Sequence, residues 1–181
     1  SAGVELQEKL ASICNKYAIQ LCGPNCLGVV NMSMGFTGSF GSMLGDISNI
    51  TSSDISMVSQ SGGMSGIASL LSQQLGFGFR LTISSGNEAV VTVADYIKAL
   101  CRDDGTNIIA VYIESITDHK NFIEAVSLAL ANKKTIVAMK AGASMASSRA
   151  ATAHTGKLAG SDAAFEAVFR EFAIIRVWSI E

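Results

Sequence analysis

Short apolar runs alternate with amphipathic segments along most of the chain. The apolar runs have the length of strands, and the segments between them repeat apolar residues every three or four positions, as helices do. The predicted strands are 19–22, 27–30, 55–58, 80–83, 108–113, 135–139 and 174–177. The predicted helices are 4–17, 61–75, 91–101, 118–131 and 161–172. Apolar strands separated by helices are typical of a parallel sheet covered on both faces, which predicts an α/β fold.

The helical spacing also predicts which side chains face the core. The positions predicted to be buried are Ile67, Leu70, Leu71 and Leu75 in the helix 61–75, and Phe122, Ile123, Val126 and Leu130 in the helix 118–131. Residues 33–53 are rich in Gly and Ser, which indicates loop or a short hairpin, with Phe36 and Phe40 as its anchors.

Composition excludes several classes of protein. The 181 residues, with a net charge of -2, are enough for one domain and contain no basic stretch that would favour nucleic acid or a membrane surface. Every apolar run is far shorter than the roughly 20 residues needed to span a bilayer. The chain opens without the pattern of a secretory signal, so a cytoplasmic protein is expected. Only 15% of residues are charged, which indicates that part of the surface is buried against other domains.

The four cysteines show no pattern that points to a metal. They are Cys14, Cys22, Cys26 and Cys101. Their spacing contains no CxxC pair and no usual zinc arrangement, so no metal site is predicted. An even number is compatible with two disulfides, but because nothing else indicates secretion we expect reduced thiols.

In folds of this class, ligands bind at the carboxyl ends of the strands, which places several loops in one region. Ser61, Gly62 and Gly63 follow a strand and begin a helix. The free N–H groups of a helix start, with the helix dipole, form a site suited to phosphate. A tight turn capped by Ser61 explains the same residues equally well.

Two acids follow other predicted strands. Glu114 comes directly after 108–113, where a carboxylate can orient a histidine and stabilise its cationic ring; a solvated loop acid is the alternative. Glu88 lies in the loop 84–88 and either orients an imidazole or supports the first turn of the next helix. The local pattern slightly favours the second role for Glu88.

His154 is the candidate nucleophile of the chain. It lies among small residues in a Gly/Ala/Ser-rich loop, 142–160, which suits an exposed imidazole that accepts a phosphoryl group and releases it. His119, at the predicted start of a helix, is expected to be a surface residue. Asn25 and Cys26 lie in a rigid turn suited to a polar ligand, and Cys26 has no basic neighbour in sequence that would activate its thiol.

Six segments in order carry a resemblance to a known family. They are GPNCLGVVN, ISMVSQSGG, SSGNEA, YIES, KAG and AHTGKLAG. Together they resemble the NDP-forming acyl-CoA synthetases of the succinyl-CoA synthetase superfamily, with the closest similarity to the ADP-forming acetate–CoA ligase group. The resemblance implies a flavodoxin-like three-layer domain with a mainly parallel sheet and helices on both faces.

The resemblance also implies a division of the chain. Residues 1–30 match the tail of a CoA-binding domain with its linking turn, and residues 31–181 match the CoA-ligase domain with its phosphohistidine loop. An ATP-grasp domain, on the same or another chain, is expected to bind ATP or ADP with Mg²⁺. The further partners implied are CoA, a small carboxylic acid and other subunits of an oligomer.

The family mechanism assigns roles to the candidate residues. His154 matches the phosphorylated histidine, with Glu114 as its supporting acid and Glu88 in the neighbouring motif. Ser61, Gly62 and Gly63 match the phosphate cradle, and Asn25 and Cys26 match the loop near the CoA thiol. One departure is Ala153, where the family usually has Ser.

Two other functions remain open on the sequence. One is a non-catalytic acyl-CoA-binding regulatory module, as found in some protein acetyltransferases, where the histidine can be lost. The other is an unrelated flavodoxin-like domain that binds a flavin phosphate. The sequence does not indicate which carboxylic acid is activated or whether ADP or GDP is preferred.

Overall fold

The computed structural model describes residues 2–41, 51–142 and 162–180, and in these ranges seven strands form one sheet flanked by five helices. The strands are β1 (Gly28–Asn31), β2 (Phe36–Ser39), β3 (Ile55–Ser59), β4 (Leu81–Ser84), β5 (Ile108–Ile113), β6 (Thr135–Lys140) and β7 (Ile175–Val177). The helices are α1 (Ala2–Lys16), α2 (Gly62–Gln74), α3 (Val93–Leu100), α4 (His119–Ala131) and α5 (Asp162–Glu171).

The strand order is β2-β1-β4-β3-β5-β6-β7. Strands β3 to β7 run parallel, while β1 pairs antiparallel with both β4 and β2. Counted from β3, the five parallel strands have the order 2-1-3-4-5, which is the flavodoxin-like order. The predicted fold class is therefore confirmed.

Helices lie on both faces because the chain reverses direction after β4. From β3 to β4 it moves one way along the sheet, and from β4 through β5 to β6 it moves the other way. Right-handed crossovers then place α2 on the face opposite α3 and α4. The main core agrees, since it joins side chains of α3, α4 and α5 to alternate residues of β5, Ile109, Val111 and Ile113.

Two predictions from the first third of the chain are wrong. Residues 19–22 do not form a strand. They lie beside a loop, and Val91 N of that loop donates to Leu21 O at 3.3 Å. Because the loop is not a strand, it cannot supply the regular series of hydrogen bonds that a strand needs. The loop or short hairpin expected within 33–53 contributes only β2, which forms a hairpin with β1 at residues 28–31, and residues 42–50 lie outside the described ranges. Phe36 and Phe40 do not anchor this segment, because both are exposed and Phe40 is 81% exposed.

The buried face of α2 also differs from the prediction. Ile67, Leu70 and Leu75 are exposed, and small residues face the sheet instead: Ser65, Gly66, Ser69 and Ser72. The hydroxyls of Ser65 and Ser72 donate to carbonyls within the helix, at 2.7 and 2.8 Å, so they can be buried without other partners. Helical spacing could not show this, because small polar residues carry no apolar signal. In α4, Leu130 is likewise exposed, whereas Phe122 and Val126 are buried.

The predicted division at residue 30 falls within β1. All four residues of β1 pair with β4 on one side and with β2 on the other, so this strand belongs to the same sheet as the rest. Helix α1 precedes it, and several of its apolar side chains are exposed. No helix in the described ranges is long and apolar enough to cross a bilayer.

Candidate functional site

A cleft of about 480 Å³ opens between β3 and β5, the neighbouring strands from which the chain continues in opposite directions along the sheet. These strands are parallel neighbours, with Ser59 paired to Tyr112, so their carboxyl ends meet at one edge. The chain leaves β3 toward β4 and leaves β5 toward β6, which separates the two following loops. This is the position where open parallel sheets bind ligands.

The cleft gathers six of the eight residues predicted for the site. They are Asn25, Cys26, Ser61, Gly62, Gly63 and Glu114. Asn25 and Cys26 reach it because β1 runs antiparallel to β4, so that the residues before β1 lie beside the carboxyl end of β4. Residues 143–161, which include His154, lie outside the described residues.

Helix α2 begins in the cleft wall with its positive end exposed. The Ser61 hydroxyl accepts from Met64 N at 3.4 Å, and Ser65 N donates to Ser61 O at 3.1 Å as the first bond of the helix. Within the helix, the N–H groups of Gly62 and Gly63 therefore lack partners. Ser61 therefore caps the helix, as one of the two explanations predicted, and binding of phosphate at the helix start stays a prediction.

The two glycines serve different purposes. A Cβ on Gly62 would lie 2.8 Å from Cγ of Leu27, so Gly62 is needed for packing against the turn before β1. A Cβ on Gly63 would meet nothing closer than Ser61 Oγ at 3.9 Å. Space for a ligand therefore remains open above Gly63.

Gln60 joins the two sides of the cleft. Its Oε1 accepts from Glu114 N at 2.7 Å and from Ser115 N at 3.0 Å, while its Nε2 donates to Ser115 O at 2.8 Å. The side chain is 7% exposed. Gln60 therefore fixes the start of α2 relative to the loop after β5.

Replacing Gln60 with Ala should lower the free energy of unfolding by about 3 kcal/mol, because three buried backbone groups lose their partners at roughly 1–3 kcal/mol each before any water enters. Urea denaturation followed by circular dichroism measures this change. The matched control is Gln74→Ala at the exposed end of α2, which should change the value by less than about 0.5 kcal/mol. Equal losses of unfolding free energy in the two variants would show that the hydrogen bonds of Gln60 do not stabilise the fold.

Glu114 contributes a carboxylate to the cleft wall directly after β5. Burial raises the pKa of Tyr112, and the charge of Glu114 adds to that effect. Among the described residues that line the cleft, none is basic. In this part of the chain, the start of α2 is the group that could attract an anion, since no cationic side chain lines the cleft.

The turn before β1 closes another side of the cleft. Asn25 Nδ2 donates to Asn87 Oδ1 at 3.2 Å, and Asn87 Nδ2 donates to Gln7 Oε1 at 2.8 Å, which ties α1 to the cleft wall. Gly86 packs against the turn so closely that a Cβ there would lie 2.4 Å from Pro24 O. The sequence motif around Asn25 is thus positioned by the loop after β4.

Glu88 lies outside the lining of the cleft. Its Oε1 accepts from Ser85 Oγ at 2.7 Å and from Val93 N at 3.1 Å, so the carboxylate supports the start of α3. This is the role that the local pattern favoured. His119 is the exposed first residue of α4, as predicted.

Six residues of the cleft were not predicted as site residues: Leu27, Phe40, Gln60, Gly86, Asn87 and Ser115. Apart from Phe40, each of them lies in the turn before β1 or in a loop that follows a strand, close in sequence to a residue that was predicted. An amide directly after a strand was the available signal for Gln60. For Phe40, the available signal was its place in a segment rich in Gly and Ser, which has few apolar side chains to bury an aromatic ring.

A family model described as the Succinyl-CoA ligase like flavodoxin domain matches residues 52–181, which include all five parallel strands. The chain belongs to this family. The resemblance inferred from the six segments is therefore confirmed.

Relatives within the family are longer than this chain. It is 34% identical to acetate–CoA ligase (ADP-forming) I of Archaeoglobus fulgidus, over 99% of the chain and 25% of that protein. It is also 34% identical to the alpha subunit of acetate–CoA ligase (ADP-forming) II of Pyrococcus furiosus, over 96% of the chain and 36% of that subunit. The chain thus spans between a quarter and just over a third of these ligases.

A solved structure shows the same fold in a relative. It is dinucleotide forming acetyl-coenzyme A synthetase 1 of Ca. Korarchaeum cryptofilum, in complex with phosphate and ADP. The TM-score is 0.86 at 28% identity, and the match covers 97% of this chain and 37% of that one.

Metal-binding side chains do not cluster in the described ranges. No group of three or more His, Cys, Asp or Glu residues there is arranged to hold an ion. The chemistry of the described cleft therefore rests on amides, hydroxyls, backbone N–H groups, the Cys26 thiol and the Glu114 carboxylate.

Proposed function

We propose that this chain is the ligase domain of an NDP-forming acid–CoA ligase. The reaction interconverts acyl-CoA, phosphate and NDP with acid, CoA and NTP, through an acyl phosphate and a phosphohistidine. The observation that carries the proposal is the cleft itself, in which Gln60 holds the start of α2 opposite Glu114.

The first step uses the positive end of α2. Phosphate held near Ser61, Gly62 and Gly63 attacks the carbonyl carbon of the thioester, the C–S bond breaks, and CoA leaves as its thiol. Holding the two reactants together supplies most of the acceleration in such a step. The Korarchaeum relative was solved with phosphate and ADP, which supports phosphate as a ligand of such an assembly.

The second step uses His154. Its imidazole nitrogen attacks the phosphorus of the acyl phosphate, and the carboxylate leaves. Glu114 would stabilise the cationic ring of the phosphohistidine. The loop 142–160 would then deliver the phosphoryl group to NDP at a separate site.

CoA and the nucleotide need parts beyond the described cleft. A volume of about 480 Å³ suits the acyl thioester end and phosphate, with Asn25 and Cys26 beside the thiol. We propose that a CoA-binding domain holds the remainder of CoA, and that an ATP-grasp domain binds ADP or ATP with Mg²⁺. Of residues 1–30, those before β1 would be the end of the first of these domains, because β1 belongs to the sheet described above.

The proposed reaction is tested with the full-length protein that contains this chain. It is incubated with acetyl-CoA and radioactive phosphate in the absence of nucleotide. We expect protein-bound label that is stable in base and lost in acid, together with an equal amount of released CoA. Later addition of ADP should move the label to ATP.

Two results would contradict the proposal. Binding of acetyl-CoA without label or CoA release would indicate a regulatory module. A yellow protein with a bound flavin would indicate the unrelated flavodoxin-like function. Other carboxylic acids are then tested as their CoA esters, which identifies the preferred acid.

A further inference from the structure

Two thiols lie in contact at the edge of the cleft. Cys22 Sγ and Cys26 Sγ are 4.0 Å apart on either side of the turn before β1. Cys26 lines the cleft, and Cys22 donates a hydrogen bond to Ser84 O at 3.4 Å behind it. The other two cysteines, Cys14 and Cys101, are both buried at 4% exposure.

The turn holds the pair in place. Gly23 O accepts from Ala89 N and Pro24 O accepts from Asn87 N, both at 2.9 Å. A Cβ on Gly23 would lie 2.8 Å from Cys26 Sγ, so the absence of a side chain at Gly23 leaves room for this thiol to fold back. Cys26 Sγ also donates to Cys22 O at 3.7 Å. The backbone hydrogen bonds of the turn and the space beside Gly23 therefore keep the two thiols near each other.

We propose that Cys22 and Cys26 form a dithiol site that reacts with small organic disulfides entering the cleft. Cys26 is the attacking residue because it faces the cleft. Burial raises the pKa of the Cys22 thiol, and this residue is absent from the lining of the cleft, so a reagent in the cleft meets Cys26 first. Cys22 instead resolves the mixed disulfide formed on Cys26.

The two steps balance in atoms and electrons. The Cys26 thiolate attacks one sulfur of the reagent, the S–S bond of the reagent breaks, and one small thiol leaves with a proton. The Cys22 thiolate then attacks Cys26 Sγ, and the second small thiol leaves with another proton. Two cysteine thiols are oxidised to one disulfide, and the reagent is reduced to two thiols.

Trypsin separates the relevant thiols for the test. Cleavage yields peptide 10–16 with Cys14, peptide 17–80 with Cys22 and Cys26, and peptide 99–102 with Cys101. The folded protein is treated with hydroxyethyl disulfide and then denatured, so that every thiol that has not reacted is alkylated, and the masses of the peptides are measured. In the wild type, we expect peptide 17–80 to lose two hydrogen atoms and both alkylation sites. Peptides 10–16 and 99–102 should remain fully alkylated.

The variant Cys22→Ser should stop at the first step, with peptide 17–80 carrying one hydroxyethylthio group. Full alkylation of peptides 10–16 and 99–102 shows at the same time that the variant is folded. If it is not folded, the wild-type result alone decides. A wild-type peptide 17–80 that retains the adduct, or that remains alkylated at both cysteines, would overturn the proposal.

Discussion

Replacing His154 with Ala should abolish the protein-bound phosphate label while CoA is still released from acetyl-CoA. The two steps of the proposed reaction use different groups. Attack of phosphate on the thioester needs the start of α2 and the cleft, whereas transfer to the protein needs an imidazole nitrogen. We therefore expect the variant to release CoA and accumulate acetyl phosphate, with no label on the protein and no ATP after ADP is added.

The chain offers a matched control for this variant, because it contains only one other histidine, His119. That residue is exposed at the start of α4. His119→Ala should retain the label and the formation of ATP at wild-type levels. Label that persists in His154→Ala, or that disappears in His119→Ala, would show that the phosphoryl group is not carried on His154.

Replacing Gly86 with Ala should lower the free energy of unfolding by about 3 kcal/mol, from backbone strain and from overpacking together. Gly86 has a φ of +61°, which L-residues adopt at a cost. A Cβ there would also lie 2.4 Å from Pro24 O and 2.5 Å from Asn25 O. Both contacts are with backbone, so the turn before β1 must move away from the loop after β4.

The control for Gly86 is Gly35→Ala. Gly35 has a φ of +63°, but a Cβ there would meet nothing within 4 Å. This variant has the same strain without the contact and should lose only about 1 kcal/mol. Urea denaturation of both variants isolates the effect of the close approach. Equal losses would mean that the turn and the loop are not packed as described.

The regular part of the fold could be predicted because its signals are local. The strands β3, β5 and β6 coincide closely with apolar runs, and their order in the chain with helices between them indicates a parallel sheet. The buried face of α2 could not be predicted, since Ser65, Ser69 and Ser72 lie against the sheet and apolar side chains point outward. Helical spacing identifies a buried face only from its apolar residues. In α2 the residues that face the sheet are small, so the spacing could not identify them.

The site could be predicted only as far as strand ends mark it. Ser61 and Glu114 were identified because each follows a strand, and adjacent parallel strands end at the same edge. The bonds of Gln60 depend on β3 lying next to β5, although β4 follows β3 in the chain. No local pattern contains that information. The role of His154 stays a prediction from sequence.

The hydrogen bonds of Gln60 affect how a change of reaction rate with pH is interpreted. A neutral amide neither gains nor loses a proton in the range where an imidazole changes its charge near neutrality. We therefore expect the hydrogen bonds of Gln60 to hold the start of α2 and the loop after β5 at the same spacing over that range. A change of rate with pH in this region of the scale would then report the ionisation of the reacting groups and not a widening of the cleft that holds them.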